Sequence, residues 1–141
     1  MCKQRSGTLV GIVCLVLAGC SREPALPPVI GPEGQSMARA AFVQILEALE
    51  SGNQDKVWDG LSTRSQSRIK EMTAEKGKQN QSEKAKAVEV LRGIVGAKAK
   101  FKDTRGTRSG VEVEFEYAHG KSRDLEMVLE GGAWKLNLFS S

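Results

Sequence analysis

After Gly96 apolar residues fall at every second position in four successive runs, and this change of period constrains the fold more than any other feature. Alternate side chains of an extended chain point to opposite faces, so each run describes a strand with one face to bury. Ala97, Ala99 and Phe101 alternate with Lys98, Lys100 and Lys102, and Val111, Val113, Phe115 and Tyr117 with Glu112, Glu114 and Glu116. Leu125, Met127 and Leu129 alternate with Asp124, Glu126 and Glu130, and Trp134, Leu136 and Leu138 with Lys135 and Asn137. Arg105-Gly106, His119-Gly120 and Gly131-Gly132 separate the runs as hairpin turns would. The expectation is an antiparallel meander. Lysines on the polar face of one strand and glutamates on the next would form a solvated ladder, each pair contributing ~0.2–1 kcal/mol.

Before Gly96 the period is helical. Ser36 can cap a helix from Met37 to Ser51 that carries Phe42, Ile45, Leu46 and Leu49 and stops at Gly52. Asn53 can cap a short second helix with Val57, Trp58 and Leu61; Ser62 or Thr63 can start a third with Ile69 and Met72, ending near Gly77. A polar loop then leads to a fourth helix bearing Ala87, Val88, Leu91 and Ile94. The class expected is α+β, with N-terminal helices packed on one face of a curved, cone-like antiparallel sheet of about four strands.

The start of the chain reads differently. Lys3 and Arg5 precede an apolar stretch from Thr8 to Ala18. That stretch is too short to cross a bilayer, which needs ~20 apolar residues. It has the layout of a secretory signal. Leu17-Ala18-Gly19-Cys20 closes it and resembles the lipobox of bacterial lipoproteins in all four positions. The resemblance implies cleavage before Cys20, a diacylglycerol on its thiol and an acyl chain such as palmitate on the new amino group. Two or more chains anchor stably where one does not. Asp after the cysteine is the usual inner-membrane retention signal in enteric bacteria, and here Ser21 follows. The same resemblance therefore implies the outer membrane, facing the periplasm, if the host has two membranes.

Cysteine usage agrees with export. Of Cys2, Cys14 and Cys20, the first two would leave with the leader and the third would be acylated, so no disulfide supports the domain. The net charge of +4 comes from 21 basic and 17 acidic residues, and loss of Lys3 and Arg5 would halve it. A balance that mild gives no argument for nucleic acid. All four prolines lie between Ser21 and Gln35. The expected organisation is a lipoprotein signal peptide at 1–19, a lipidated cysteine and Pro-rich tether at 20–35, and an α+β domain at 36–141.

The segments ALESGN (48–53), KVWDGLS (56–62) and GGAWKLNLF (131–139) resemble the start and last strand of the nuclear transport factor 2-like superfamily, over roughly residues 36–141. That resemblance implies a cone-shaped pocket between helices and sheet; some members are isomerases or dehydratases, and many only bind. Two helical segments, rather than one, stand here between the Trp58 helix and the strands, and no early strand is visible.

An enzyme would need an acid or base aimed into the apolar pocket, and Tyr117 is the one inward titratable group the alternation places there. His119, the sole histidine, falls in an expected turn, where an exposed residue is the ordinary reading. One histidine and no mature thiol leave no His/Cys metal site, and the carboxylates fit a solvated ladder better than a calcium site. No Gly-rich phosphate loop or hydrolase serine motif is present. No cofactor and no catalytic residue is expected. Trp58 and Trp134 read first as core anchors and otherwise, with Tyr117, as the lining of a ligand pocket. The function expected is an envelope lipoprotein displaying a binding or interaction domain for a protein or a small apolar ligand. The alternatives are an isomerase- or hydrolase-like enzyme with an apolar pocket, and a structural or assembly factor of the envelope.

Overall fold

The structure, a computed structural model, describes residues 29–75, 81–117 and 120–140. Four helices precede four strands: α1 (Pro32–Ser51), α2 (Gln54–Asp59), α3 (Thr63–Glu75), α4 (Glu83–Val95), β1 (Lys100–Gly106), β2 (Val111–Tyr117), β3 (Lys121–Glu130) and β4 (Ala133–Asn137). The strands form one antiparallel sheet in the order β1-β2-β3-β4, so the expected α+β meander is the fold.

α1 begins five residues earlier than Met37, with Gly31 in the N-cap place and Pro32 in the first turn. Proline reads as linker, but its fixed φ and missing N–H suit the first turn of a helix. Ile30 is also drawn in, its N–H donating to the Thr107 carbonyl at 3.1 Å. The last residues assigned to the tether, from Ile30 to Gln35, therefore belong to the packed structure. Gly52 ends α1 in the left-handed conformation, Asn53 caps α2 and Ser82 caps α4, each through the backbone groups a helix terminus leaves unpaired.

The core lies between the helices and the inner face of the sheet. Phe42 from α1 meets Phe115 from β2 at 5.9 Å between ring centroids, and both are fully buried. Ala38, Ile45 and Leu49 of α1, Leu91 and Val95 of α4, and Val111, Val113, Met127 and Leu136 of the strands surround them. Each fully buried large apolar side chain contributes ~1.5–3 kcal/mol. The interior is filled rather than hollow at these residues.

β1 starts later and ends later than its alternation suggests. Ala97 and Lys98 form a turn, and Gly106 is the last residue of the strand rather than part of a hairpin loop. A bulge between Phe101 and Asp103 takes up the odd residue. The turn is Thr107–Gly110, closed by Thr107 N–H to the Gly110 carbonyl at 2.8 Å. Gly131-Gly132 forms the β3–β4 turn as expected, both with positive φ between the paired Glu130 and Ala133.

The charge ladder holds on one side only. Lys102 reaches Glu114 at 3.5 Å, and Arg105 bonds Glu112. Between β2 and β3, however, Glu112 faces Glu126 and Glu114 faces Asp124. The register is set on the other face, where Val111 meets Met127 and Val113 meets Leu125. Burying those four outweighs two like-charge contacts on the outer face, of ~0.2–1 kcal/mol each.

One addition to the sheet escaped the sequence. Leu61 makes a parallel bridge to Leu136: Leu136 N–H donates to the Gly60 carbonyl at 2.7 Å, and Ser62 N–H to the Leu136 carbonyl at 2.9 Å. This short segment protects the β4 edge.

Candidate functional site

Trp58, Tyr117 and Trp134 are set in three different neighbourhoods. Trp58 is half-buried on α2, with the Lys70 ammonium 5.9 Å from its ring centroid. Tyr117 ends β2, 6.4 Å from Phe115 between centroids and with the Arg123 guanidinium 5.6 Å from its ring. Trp134 opens β4 at 9% exposure, with its ring against Gly34 of α1. None of the three principal surface depressions is lined by more than one of these residues. Trp134 lines a depression of about 680 Å³ between α1 and β4. Cys20 and His119 lie outside the described residues.

An apolar depression lies between the C-terminal half of α1 and the end of α4. Its volume is about 460 Å³, within the range of small-molecule pockets. Leu46 and Leu49 stand one turn apart on α1, and Val95 closes α4 opposite them. The chain leaves α4 through Gly96 at φ 72°, then runs past Ala97 and Ala99. Three small residues among four leave the space between the helices open. Tyr117 stands just behind: a Cβ added to Gly96 would lie 3.8 Å from the Tyr117 Cβ.

Two charged groups mark the rim, Arg92 and Glu50. The Arg92 Nη2 donates to the Leu49 carbonyl at 3.3 Å, satisfying one of the free carbonyls at the end of α1. A cation at that helix end is also favoured by the helix dipole. The groove thus has an apolar floor with an acid and a guanidinium in solvent at its lip.

A second depression, of about 400 Å³, lies on the charged outer face of the sheet, bounded by Asp103, Arg105, Glu112, Glu114 and Asp124. Its groups answer one another: Lys102 Nζ also donates to Ser122 Oγ at 2.8 Å, and the hydrogen bond that Arg105 donates to the Glu112 carboxylate raises the Arg105 pKa further above its usual value. Among the described residues no group of three or more His, Cys, Asp or Glu side chains is placed to hold a metal ion.

A buried polar cluster is one the sequence did not mark. Ser62 Oγ donates to Ser65 Oγ at 3.0 Å, and Ser65 Oγ accepts from the Leu138 N–H at 2.9 Å. Asn137, which alternation assigns to solvent, is buried beside Ser65 and donates to Glu126 Oε2 at 3.1 Å. Glu130 accepts from Thr63 N–H at 3.0 Å and so caps α3 from across the fold. These bonds lock α3 to the β3–β4 hairpin. Only the serines at the start of α3 hinted at them, since a capping serine is legible and its distant partner is not.

Among the described residues no helix is long and apolar enough to cross a membrane. No family model matches the chain, and neither the curated proteins nor the solved structures contain a match to it.

Proposed function

We propose that the chain is a lipoprotein of the bacterial cell envelope, anchored through acyl chains on Cys20, that presents its α+β domain as a binding module without catalysis. In a host with two membranes it stands on the outer membrane facing the periplasm. The anchor rests on Leu17-Ala18-Gly19-Cys20 and the charged and apolar segments before it. Binding rests on one observation, the 460 Å³ groove between α1 and α4. Its apolar floor suits a small apolar ligand or an apolar side chain of a protein partner, and Arg92 at the rim suits an anionic group on either. Arg92 and Glu50 are both exposed, so neither has the buried setting that tunes a group for acid–base work. The resemblance to the nuclear transport factor 2-like superfamily, many of whose members only bind, points the same way.

Two measurements test the two halves. Cys20→Ala should abolish labelling by a metabolically supplied fatty acid and leave the protein as an uncleaved or soluble precursor; persistent labelling refutes the anchor. For the groove, the probe is 1-anilinonaphthalene-8-sulfonate, an aromatic anion. Ala97→Trp places a large side chain at the groove from an exposed turn position. It should weaken binding of the probe by about tenfold, equivalent to ~1.4 kcal/mol. Unchanged affinity would remove the groove as the binding site.

A further inference from the structure

The three large hydrophobic residues exposed among those described are Val29, Met37 and Leu129, each more than half exposed. Leu129 is about a hundred positions from Val29 and Met37, yet the contacts of their neighbours bring all three toward one end of the fold. Val29 precedes Ile30, whose N–H bonds Thr107 in the β1–β2 turn. A Cβ on Gly34 would lie 2.5 Å from Ile30 Cγ2 and 3.6 Å from Trp134 Cζ2, so Ile30 and Trp134 converge on the first turn of α1. Met37 is one helical turn beyond Gly34, and Leu129 faces Trp134 across the β3–β4 pair. Both hairpin turns, Thr107–Gly110 and Gly131-Gly132, lie at this end of the meander, as the strand order requires. Scattered single hydrophobic residues on a surface need no explanation, but a cluster marks contact with something apolar.

The path of the chain names the occupant. Ser21 to Pro28 is all that separates Cys20 from Val29. Eight residues in polyproline geometry reach roughly 25 Å. A domain of this size has a radius of gyration of ~13 Å and is therefore some ~35 Å across. With this corner toward the bilayer the tether can stay slack. Turning the domain over would carry Val29 a domain-width from the surface, beyond the reach of the tether. Arg108 and Glu33, exposed beside the cluster, carry opposite charges, so the corner has no net repulsion from anionic headgroups.

We propose that the corner formed by Val29, Met37 and Leu129 rests on the lipid surface to which Cys20 anchors the chain. The proposal depends on the lipoprotein reading above. It fixes the orientation of the domain: the N-terminal end of α1 meets the membrane, and the groove at the far end of α1 opens away from it.

The test uses the full lipidated protein reconstituted in vesicles of phosphatidylethanolamine and phosphatidylglycerol. Leader removal takes Cys2 and Cys14, and acylation blocks Cys20, so one introduced thiol labels uniquely. Leu129→Cys, Met37→Cys and, at the opposite end, the exposed Lys98→Cys each receive a nitrobenzoxadiazole fluorophore. Doxyl-labelled lipid in the bilayer should quench the labels at 129 and 37 at least threefold more than the label at 98. Equal, solvent-like emission at all three positions, on protein shown by mass spectrometry to be lipidated, overturns the proposal while sparing the lipoprotein reading. Blue-shifted emission at 129 and 37 that lipid-borne quencher does not reduce means a second copy covers the corner, and also overturns it. An unmodified Cys20 in the mass spectrum overturns both.

Discussion

Trp134 and Trp58 are the same residue type in unequal settings, and the difference is measurable. Trp134 is 9% exposed, sits in the core cluster and touches the first turn of α1. Trp58 is half-buried, and Lys70 lies over its ring. Truncating a buried aromatic costs ~3–5 kcal/mol, so Trp134→Ala should lose about 3 kcal/mol in chemical denaturation. Trp58→Ala should lose roughly half as much, because part of its surface is already in water. A Trp134→Ala loss under ~1 kcal/mol, the range of surface substitutions, would show that the ring is not a core anchor. The buried serine pair offers a contrast in kind. Ser65 contributes through the Leu138 N–H and Ser62 hydroxyl it satisfies, rather than through area.

At the scale of elements, Gly106 controls how the start of the chain joins the sheet. A Cβ there would fall 1.9 Å from the Ile30 carbonyl oxygen, which is backbone and has little room to yield. Gly106→Ala should displace the Ile30 segment from β1 and cost ~1–3 kcal/mol, as overpacking does. Hydrogen exchange should show the Ile30 amide losing protection; retained protection would contradict this close approach. No reading of the sequence assigned Gly106 this role, because an isolated Arg-Gly between apolar runs looks like a turn. The helices and strands themselves were legible wherever apolar period and a capping residue agreed, as at Asn53, Gly52 and Gly131-Gly132. Legibility failed where a local signal has two meanings. Pro32 marks a linker or a first turn, and Ala97 and Ala99 alternate like a strand while lining a groove. It failed too for pairing across β2 and β3, since alternation says which face a glutamate takes but not what stands opposite. Of the site, the sequence offered three aromatic residues; the groove depends on Leu46 of one helix and Val95 of another lining the same space, an arrangement that no single segment encodes.

For the molecule as a whole, the first testable consequence concerns where the independent unit starts. A fragment of residues 29–141 retains Ile30, its bond to Thr107 and the first turn of α1, whereas residues 36–141 lose all three. The longer fragment should unfold cooperatively in urea and be more stable than the shorter by about 1–3 kcal/mol, the scale of one large apolar side chain with its backbone bond. Equal stabilities would place the boundary at residue 36 after all. The free edge of the sheet is managed by charge: β1 carries Lys100, Lys102 and Arg105 on its flank, which discourages pairing with another chain.

The opposite edge is managed by chain, and this has a consequence in time. Leu61 and Leu136, joined by a bridge, are separated by most of the domain's length. The meander needs only neighbouring segments, and α3 also packs on α4, but the seating of α3 against the sheet needs β3 and β4. A chain emerging from its N-terminus can therefore complete the sheet-side contacts of α3 only after β4 has appeared. Loss of β4 would break bonds some seventy positions upstream, at Gly60, Ser62 and Ser65, so the seating of α3 on the sheet is a late step of folding rather than an early one.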